Sequence, residues 1–151
     1  CLTAARELDT GRIILLDVVR EKWDYPTGKR MVPMQRIKWG ASTSVIENKS
    51  TGQSILQEVP GCVGFEPEGD KPGRLSAESP VIEDGTFIVP SDTNQYTPWL
   101  ADYLTELTLV PSAPYMDQAD ATSMMLRYFR EQGMFGPDFT LGASEFAGQG
   151  Y

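Results

Sequence analysis

Residues 43–66 read TSVIENKSTGQSILQEVPGCVGFE, and their reading decides the fold class. The apolar run TSVIE is a short strand that ends on an acid. Residues 50–59 (STGQSILQEV) then suit a helix, with Ser50 or Thr51 at its N-cap, and Pro60-Gly61 stops it. Residues 62–66 are a second short strand. Strand, helix and strand at this spacing predict a βαβ unit with parallel pairing.

Upstream, residues 2–7 and 12–20 flank Asp9-Thr10-Gly11, the chemistry of a hairpin turn, and the second arm RIILLDVVR is rich in branched aliphatic residues. Residues 21–40 (EKWDYPTGKRMVPMQRIKWG) are polar and predict one short helix, interrupted by Pro33 unless that proline lies in the first turn. Downstream, EGDKPGRLSAESPVIEDG (68–85) predicts a charged loop entering a helix near Arg74, and 86–89 an extended piece. WLADYLTELTL (99–109) places apolar residues at 99, 100, 103, 104 and 107, an amphipathic helix. YMDQADATSMMLRYF (115–129) predicts a helix from Asp117 to about Gln132, with Ala121, Met124, Met125, Tyr128 and Phe129 on one face. The whole reads as an α/β domain over 1–132 with a mixed sheet. The Gly-rich, aperiodic residues 133–151 read as a flexible tail or a linker.

The 151 residues suffice for one domain with its own core, and 40% hydrophobic with 23% charged residues is ordinary globular composition. No apolar run approaches the ~20 residues of a membrane span. The opening CLTAAREL has neither an initiator Met nor a signal pattern and reads as starting inside a longer protein. Cys1 and Cys62 read as free thiols of a cytosolic protein. The chain contains no histidine. That excludes Ser-His and Cys-His nucleophilic sites, His-ligated zinc and an imidazole base within it. Chemistry must then rest on carboxylates, lysine, hydroxyls or an oxygen-ligated metal. A net charge of −8 is the wrong overall sign for a nucleic-acid binder, so any grip on phosphate must be local.

Glu47 follows the strand TSVI, at the end where open α/β sheets place their ligands. Asp117 and Asp120, three apart, share a helix face that continues into the methionine stripe, so both are expected to point toward the sheet. On the pattern alone, Asp117 as N-cap with Asp120 in the first turn is the favoured explanation of the pair. The metal alternative gains weight if acids from separate elements converge, because they repel unless a cation neutralises them. Lys71 and Arg74, three apart at a helix mouth, can grip phosphate oxygens or simply offset nearby acids. ENKSTGQS carries a glycine and hydroxyls near a helix start, a weak anion-site pattern. Asp17 shares a strand face with Ile13, Leu15 and Val19 and reads as a partly exposed strand acid.

Taken in order, GRIILLDVVREKWDYP, SVIENKSTGQSILQEV, EGDKPGRLSAESPVIEDGTFIVP, TPWLADYLTEL and APYMDQADATSMMLRYF cover about residues 11–130. In this order they resemble the C-terminal nuclease domain of the large terminase subunit of tailed bacteriophages and prophages. The resemblance implies a ribonuclease H-like fold, with a central mixed sheet flanked by helices, that cuts concatemeric viral DNA with two Mg²⁺ or Mn²⁺ ions. It implies Glu47, Asp117 and Asp120 as catalytic, metal-holding acids, and Lys71, Arg74 and Lys49 as DNA contacts. The implied partners are double-stranded DNA, the small terminase subunit, the portal protein and an ATPase domain upstream in the same polypeptide, all in the cytoplasm of a bacterial host. Two departures stand out. The strand bearing the family's first aspartate would precede Leu2, and Asp17 does not replace it. Where relatives carry His and two acids, this chain has Tyr115, Met116 and Asp117. The rival readings are a ribonuclease H-like resolvase or integrase, and a docking domain of the packaging motor with a degraded metal site.

Overall fold

A computed structural model describes residues 1–135. Strands β1 (Leu2–Arg6) and β2 (Ile13–Val18) form the expected antiparallel hairpin. Its turn is closed by Gly11, whose φ of 72° suits a residue without Cβ. Along β2 the period-2 alternation buries Ile13, Leu15 and Asp17.

Asp17 is buried rather than partly exposed. Its carboxylate accepts from Lys38 Nζ at 2.7 Å and Trp39 Nε1 at 3.0 Å, and those partners offset its desolvation. Both donors sit at the end of helix α1 (Tyr25–Trp39). This helix runs fifteen residues, straight through Pro33, where the sequence predicts a short, interrupted one. Asp24 caps its start by accepting from Thr27 N, Pro26 lies in the first turn, and Gly40 ends it in the left-handed region. The carbonyl deprived of its donor by Pro33 belongs to exposed Lys29, where water can serve it.

The quoted stretch folds as read. Strand β3 (Ser44–Glu47), helix α2 (Thr51–Glu58) and strand β4 (Cys62–Phe65) form a βαβ unit whose parallel register runs from Ser44↔Cys62 to Glu47↔Phe65. Val32 of α1 packs with Ile55 and Val59 to cover it. Helices α3 (Lys71–Ala77) and α4 (Ser79–Glu83) follow, then strand β5 (Phe87–Ile88), which pairs in parallel with β2. Helices α5 (Leu100–Leu109) and α6 (Asp117–Glu131) complete the described chain. The main core joins Ile13, Leu15, Val18 and Phe87 of the sheet to Tyr103 of α5 and Leu126 of α6.

Two expectations are corrected. The α/β class holds, but among the described residues the strands form two sheets, β1-β2-β5 (mixed) and β3-β4 (parallel), instead of one central sheet. The buried face of α6 is Gln118, Ala119, Thr122, Ser123 and Leu126; of the predicted face, Met125 and Phe129 pack half-buried against the main core, whereas Ala121, Met124 and Tyr128 lie beside it. The polar members of the buried face are hydrogen-bonded: the Thr122 hydroxyl donates to Gln118 O and pairs with Tyr103 Oη, each at 2.8 Å, and the Ser123 hydroxyl donates to Asp120 O at 2.7 Å. Satisfied hydroxyls are cheap to bury, so hydrophobicity alone misplaces the face.

Of the predicted tail, 136–151 lie outside the described residues. Before them, Met134 O accepts from Arg6 Nε at 2.6 Å and Phe135 packs on the core. No helix among the described residues is long and apolar enough to cross a membrane.

Candidate active site

Glu47 closes β3, and the chain then turns tightly into α2. Asn48 N extends the ladder to Phe65 O at 2.9 Å, and Gly52 N donates to Lys49 O at 2.9 Å. Ser50 adopts φ 47°, ψ −121°, a conformation that favours glycine. A Cβ on Gly52 would stand 2.0 Å from the Glu47 carbonyl oxygen. The turn is thus wound against the backbone of the acid it follows. Two substitutions in it should act in opposite directions. Gly52→Ala is expected to push Glu47 off its register and destabilise the fold by about 1–3 kcal/mol. Ser50→Gly is expected to relieve the strained φ and stabilise by up to about 1 kcal/mol. Urea unfolding of both variants checks the pair.

Helix α3 begins at Lys71, three residues earlier than the sequence predicts, because Asp70 caps it by accepting from Gly73 N at 2.9 Å and Pro72 lies in its first turn. Lys71 and Arg74 therefore lie inside the helix and meet the first turn of α6. Lys71 Nζ donates to Asp117 Oδ1 at 2.7 Å and stands 4.0 Å from Asp120 Oδ2. Arg74 Nε donates to Asp120 Oδ1 at 2.8 Å, its Nη2 donates to the same oxygen, and its Nη1 donates to Gly69 O. The bond to Asp117 holds the Lys71 ammonium above its ordinary pKa, against the burial that would lower it. Lys49 stands 3.5 Å from Glu47.

All six side chains, Glu47, Lys49, Lys71, Arg74, Asp117 and Asp120, line one cleft of about 330 Å³. Met124 and Ala121 of α6 form part of its wall. The strand end, the loop after it and two helices thus deliver all six expected site residues to one place. Asp17 is held at α1 and does not line the cleft.

The chain matches no protein-family model and no curated protein. The cleft must be read from its own chemistry.

Three acids face three cations, so the cleft is balanced by its own side chains. Within that balance the acids differ. Asp117 is 73% exposed and Glu47 44%, whereas Asp120 is 17% exposed and committed to Arg74. Asp117 thus points more to solvent than the expected direction toward the sheet. Carboxylate oxygens are the donors that Mg²⁺ or Mn²⁺ prefers, so Glu47 and Asp117 suit such an ion. Among the described residues no three acids are grouped closely enough to enclose one.

Asp117 is also not the N-cap. That position falls to Met116, which has no side-chain cap to offer. The orphan amides at the helix start are satisfied from α5 instead: Glu106 Oε1 accepts from Gln118 N at 2.6 Å and Ala119 N at 3.0 Å, and Oε2 from Gln118 Nε2 at 2.8 Å. Arg20 pairs with Glu106 Oε2 at 3.3 Å and lies over the Tyr115 ring. The sequence reading passed over Glu106 and Arg20. The available signal was the missing cap: a helix opening Met-Asp-Gln needs an acceptor from elsewhere.

Proposed function

We propose that this chain is the nuclease module of a phage-type large terminase: a ribonuclease H-like, metal-dependent endonuclease that cuts concatemeric double-stranded DNA. The observation that carries the reading is the meeting of Glu47, Asp117 and Asp120 with Lys49, Lys71 and Arg74 in one cleft. Its position at the carboxyl end of the parallel pair β3-β4 is where open α/β sheets bind ligands.

In this reading Glu47 and Asp117, the two exposed acids, would hold Mg²⁺ or Mn²⁺. A bound divalent ion supplies a hydroxide at neutral pH and stabilises a leaving oxyanion. The chain's own residues do the positioning. Lys49 and Lys71 are exposed enough to take phosphate oxygens of the backbone, contacts that fix register without reading sequence. Arg74 is tied down by Asp120 and Gly69 and presents a fixed guanidinium at the cleft wall. Charge balance suits such a role: as phosphate draws Lys71 away, Asp117 is released to a cation.

The reading also calls for one more acid. Among the described residues β1 and β3 each pair on one side only, and a further strand on such an open edge would bring that acid and join the two sheets. The terminase resemblance would put that strand in a segment before Leu2, beside an ATPase domain of the same polypeptide. The small terminase subunit and the portal protein would be its partners in the cytoplasm of a bacterial host.

The test compares this chain with a version extended upstream, each incubated with supercoiled plasmid and Mn²⁺. The extended chain is expected to bind Mn²⁺ calorimetrically and to nick plain duplex, and this chain alone to do both at least about 10-fold less well, the cost of disturbing a metal's surroundings. An extended chain that neither binds Mn²⁺ nor nicks DNA sinks the proposal. Cutting confined to branched DNA would point to a resolvase instead.

A further inference from the structure

The cleft's most exposed acid is placed by a residue outside the cleft. Asp117 is 73% exposed, and among the described residues its short contact is to Lys71, itself 39% exposed. A solvent-screened pair holds its members only weakly, so the place of Asp117 is set mainly by the backbone of the first turn of α6. That turn has no cap of its own, since Met116 offers none. It hangs from Glu106, a carboxylate only 6% exposed on the neighbouring helix α5.

We propose that Glu106, oriented by Arg20, is the positioning residue for Asp117 and Asp120. Both oxygens of Glu106 are used on the start of α6, and Oε1 takes the two backbone amides that directly follow Asp117. Arg20, at the exit of β2, clamps Oε2 from the other side and covers Tyr115, two residues before Asp117. The first turn is therefore located relative to both β2 and α5. An aspartate or serine at position 116 would satisfy the same amides at no burial cost, but would leave the turn free to shift against its neighbours. A buried carboxylate reaching across from α5 does the harder thing, and what it secures is placement. This inference rests on the nuclease reading only for what the acids do, not for what holds them.

The experiment separates capping from placement. In the upstream-extended chain, Glu106→Ala is compared with Glu106→Ala/Met116→Asp, in which a cap is restored within α6. Thermal unfolding, Mn²⁺ affinity, the kcat and KM for plasmid nicking, and the amide shifts of residues 117–120 are measured for each. The double variant is expected to regain part of the lost thermal stability, because the restored cap serves the two amides but not Gln118 Nε2 or Arg20. Its Mn²⁺ affinity and kcat should stay down by about 10–100-fold, the usual cost of losing an outer partner of a metal ligand, with KM unchanged. Its amide shifts at 117–120 should remain displaced from wild type. If the double variant recovers affinity, kcat and shifts together with stability, Glu106 is a helix cap and the inference is overturned. If the unsubstituted extended chain neither binds Mn²⁺ nor nicks DNA, the nuclease reading falls, and the amide shifts decide this inference alone. Displaced shifts in the stably refolded double variant uphold the positioning role, and wild-type shifts remove it.

Discussion

Replacing Glu47 with glutamine, or Asp117 with asparagine, is expected to lower metal-dependent cleavage by the upstream-extended chain by more than about 100-fold while leaving its stability almost unchanged. Loss of an outer partner of a metal ligand typically costs 10–100-fold, and a ligand itself must cost more. The stability half follows from exposure. The Glu47–Lys49 contact of 3.5 Å joins side chains 44% and 60% exposed, and Asp117 is 73% exposed. Solvent-screened pairs of this kind are worth about 0–1 kcal/mol. Removing the Asp117 charge also forfeits a favourable interaction with the start of α6, about 0.3–1 kcal/mol. Plasmid nicking at fixed Mn²⁺ beside a urea melt of each variant makes the comparison. Unchanged nicking would remove both acids from the reacting centre, and a large loss of stability would mean that they hold the fold.

The residues that meet in the cleft were more legible in the sequence than the architecture around them, and the reasons differ by residue. The hairpin was legible because Asp9-Thr10-Gly11 supplies turn chemistry between two runs of strand period. The βαβ unit was legible because Pro60-Gly61 separates a helical pattern from a strand. Those are local signals, and local structure follows them. The six cleft residues could be chosen because each lies at a strand end, in the turn after it or within the first four residues of a helix. Their meeting depends on α3 packing along α6, which no single segment encodes. The α6 face was misjudged because the amphipathic pattern counts Gln118, Thr122 and Ser123 as polar, while Glu106, Tyr103 and the backbone satisfy them in the interior. Glu106 lies in the run TEL of an amphipathic helix, where no local pattern distinguishes it from a surface acid. Nothing in its neighbours announces that its partners lie twelve and thirteen residues on. Strand β5 is two residues long and falls within the extended piece expected over 86–89, but a segment that short carries no signal for its parallel pairing with β2.

The second large effect concerns Asp120, and it tests the division of labour among the three acids. Asp120→Ala is expected to destabilise the fold by about 3 kcal/mol, the low end of the cost of stranding a buried charge. Arg74 is only 12% exposed and gives two of its nitrogens to one oxygen of Asp120. With that carboxylate gone, the guanidinium keeps only the Gly69 carbonyl. The penalty belongs to the stranded cation, so removing the cation as well should recover most of it. Arg74→Met/Asp120→Ala is therefore expected to unfold within about 1 kcal/mol of the unsubstituted chain, because replacing both members of a buried pair with apolar groups is often close to neutral. A double-mutant cycle by urea unfolding measures the coupling directly. If Asp120→Ala alone is mild, the pair is a surface contact and Asp120 is free to serve as a third metal-holding acid. If the cycle shows strong coupling, Asp120 is the anchor of Arg74. On the nuclease reading, metal holding would then rest on Glu47 and Asp117 with an acid from outside the described residues.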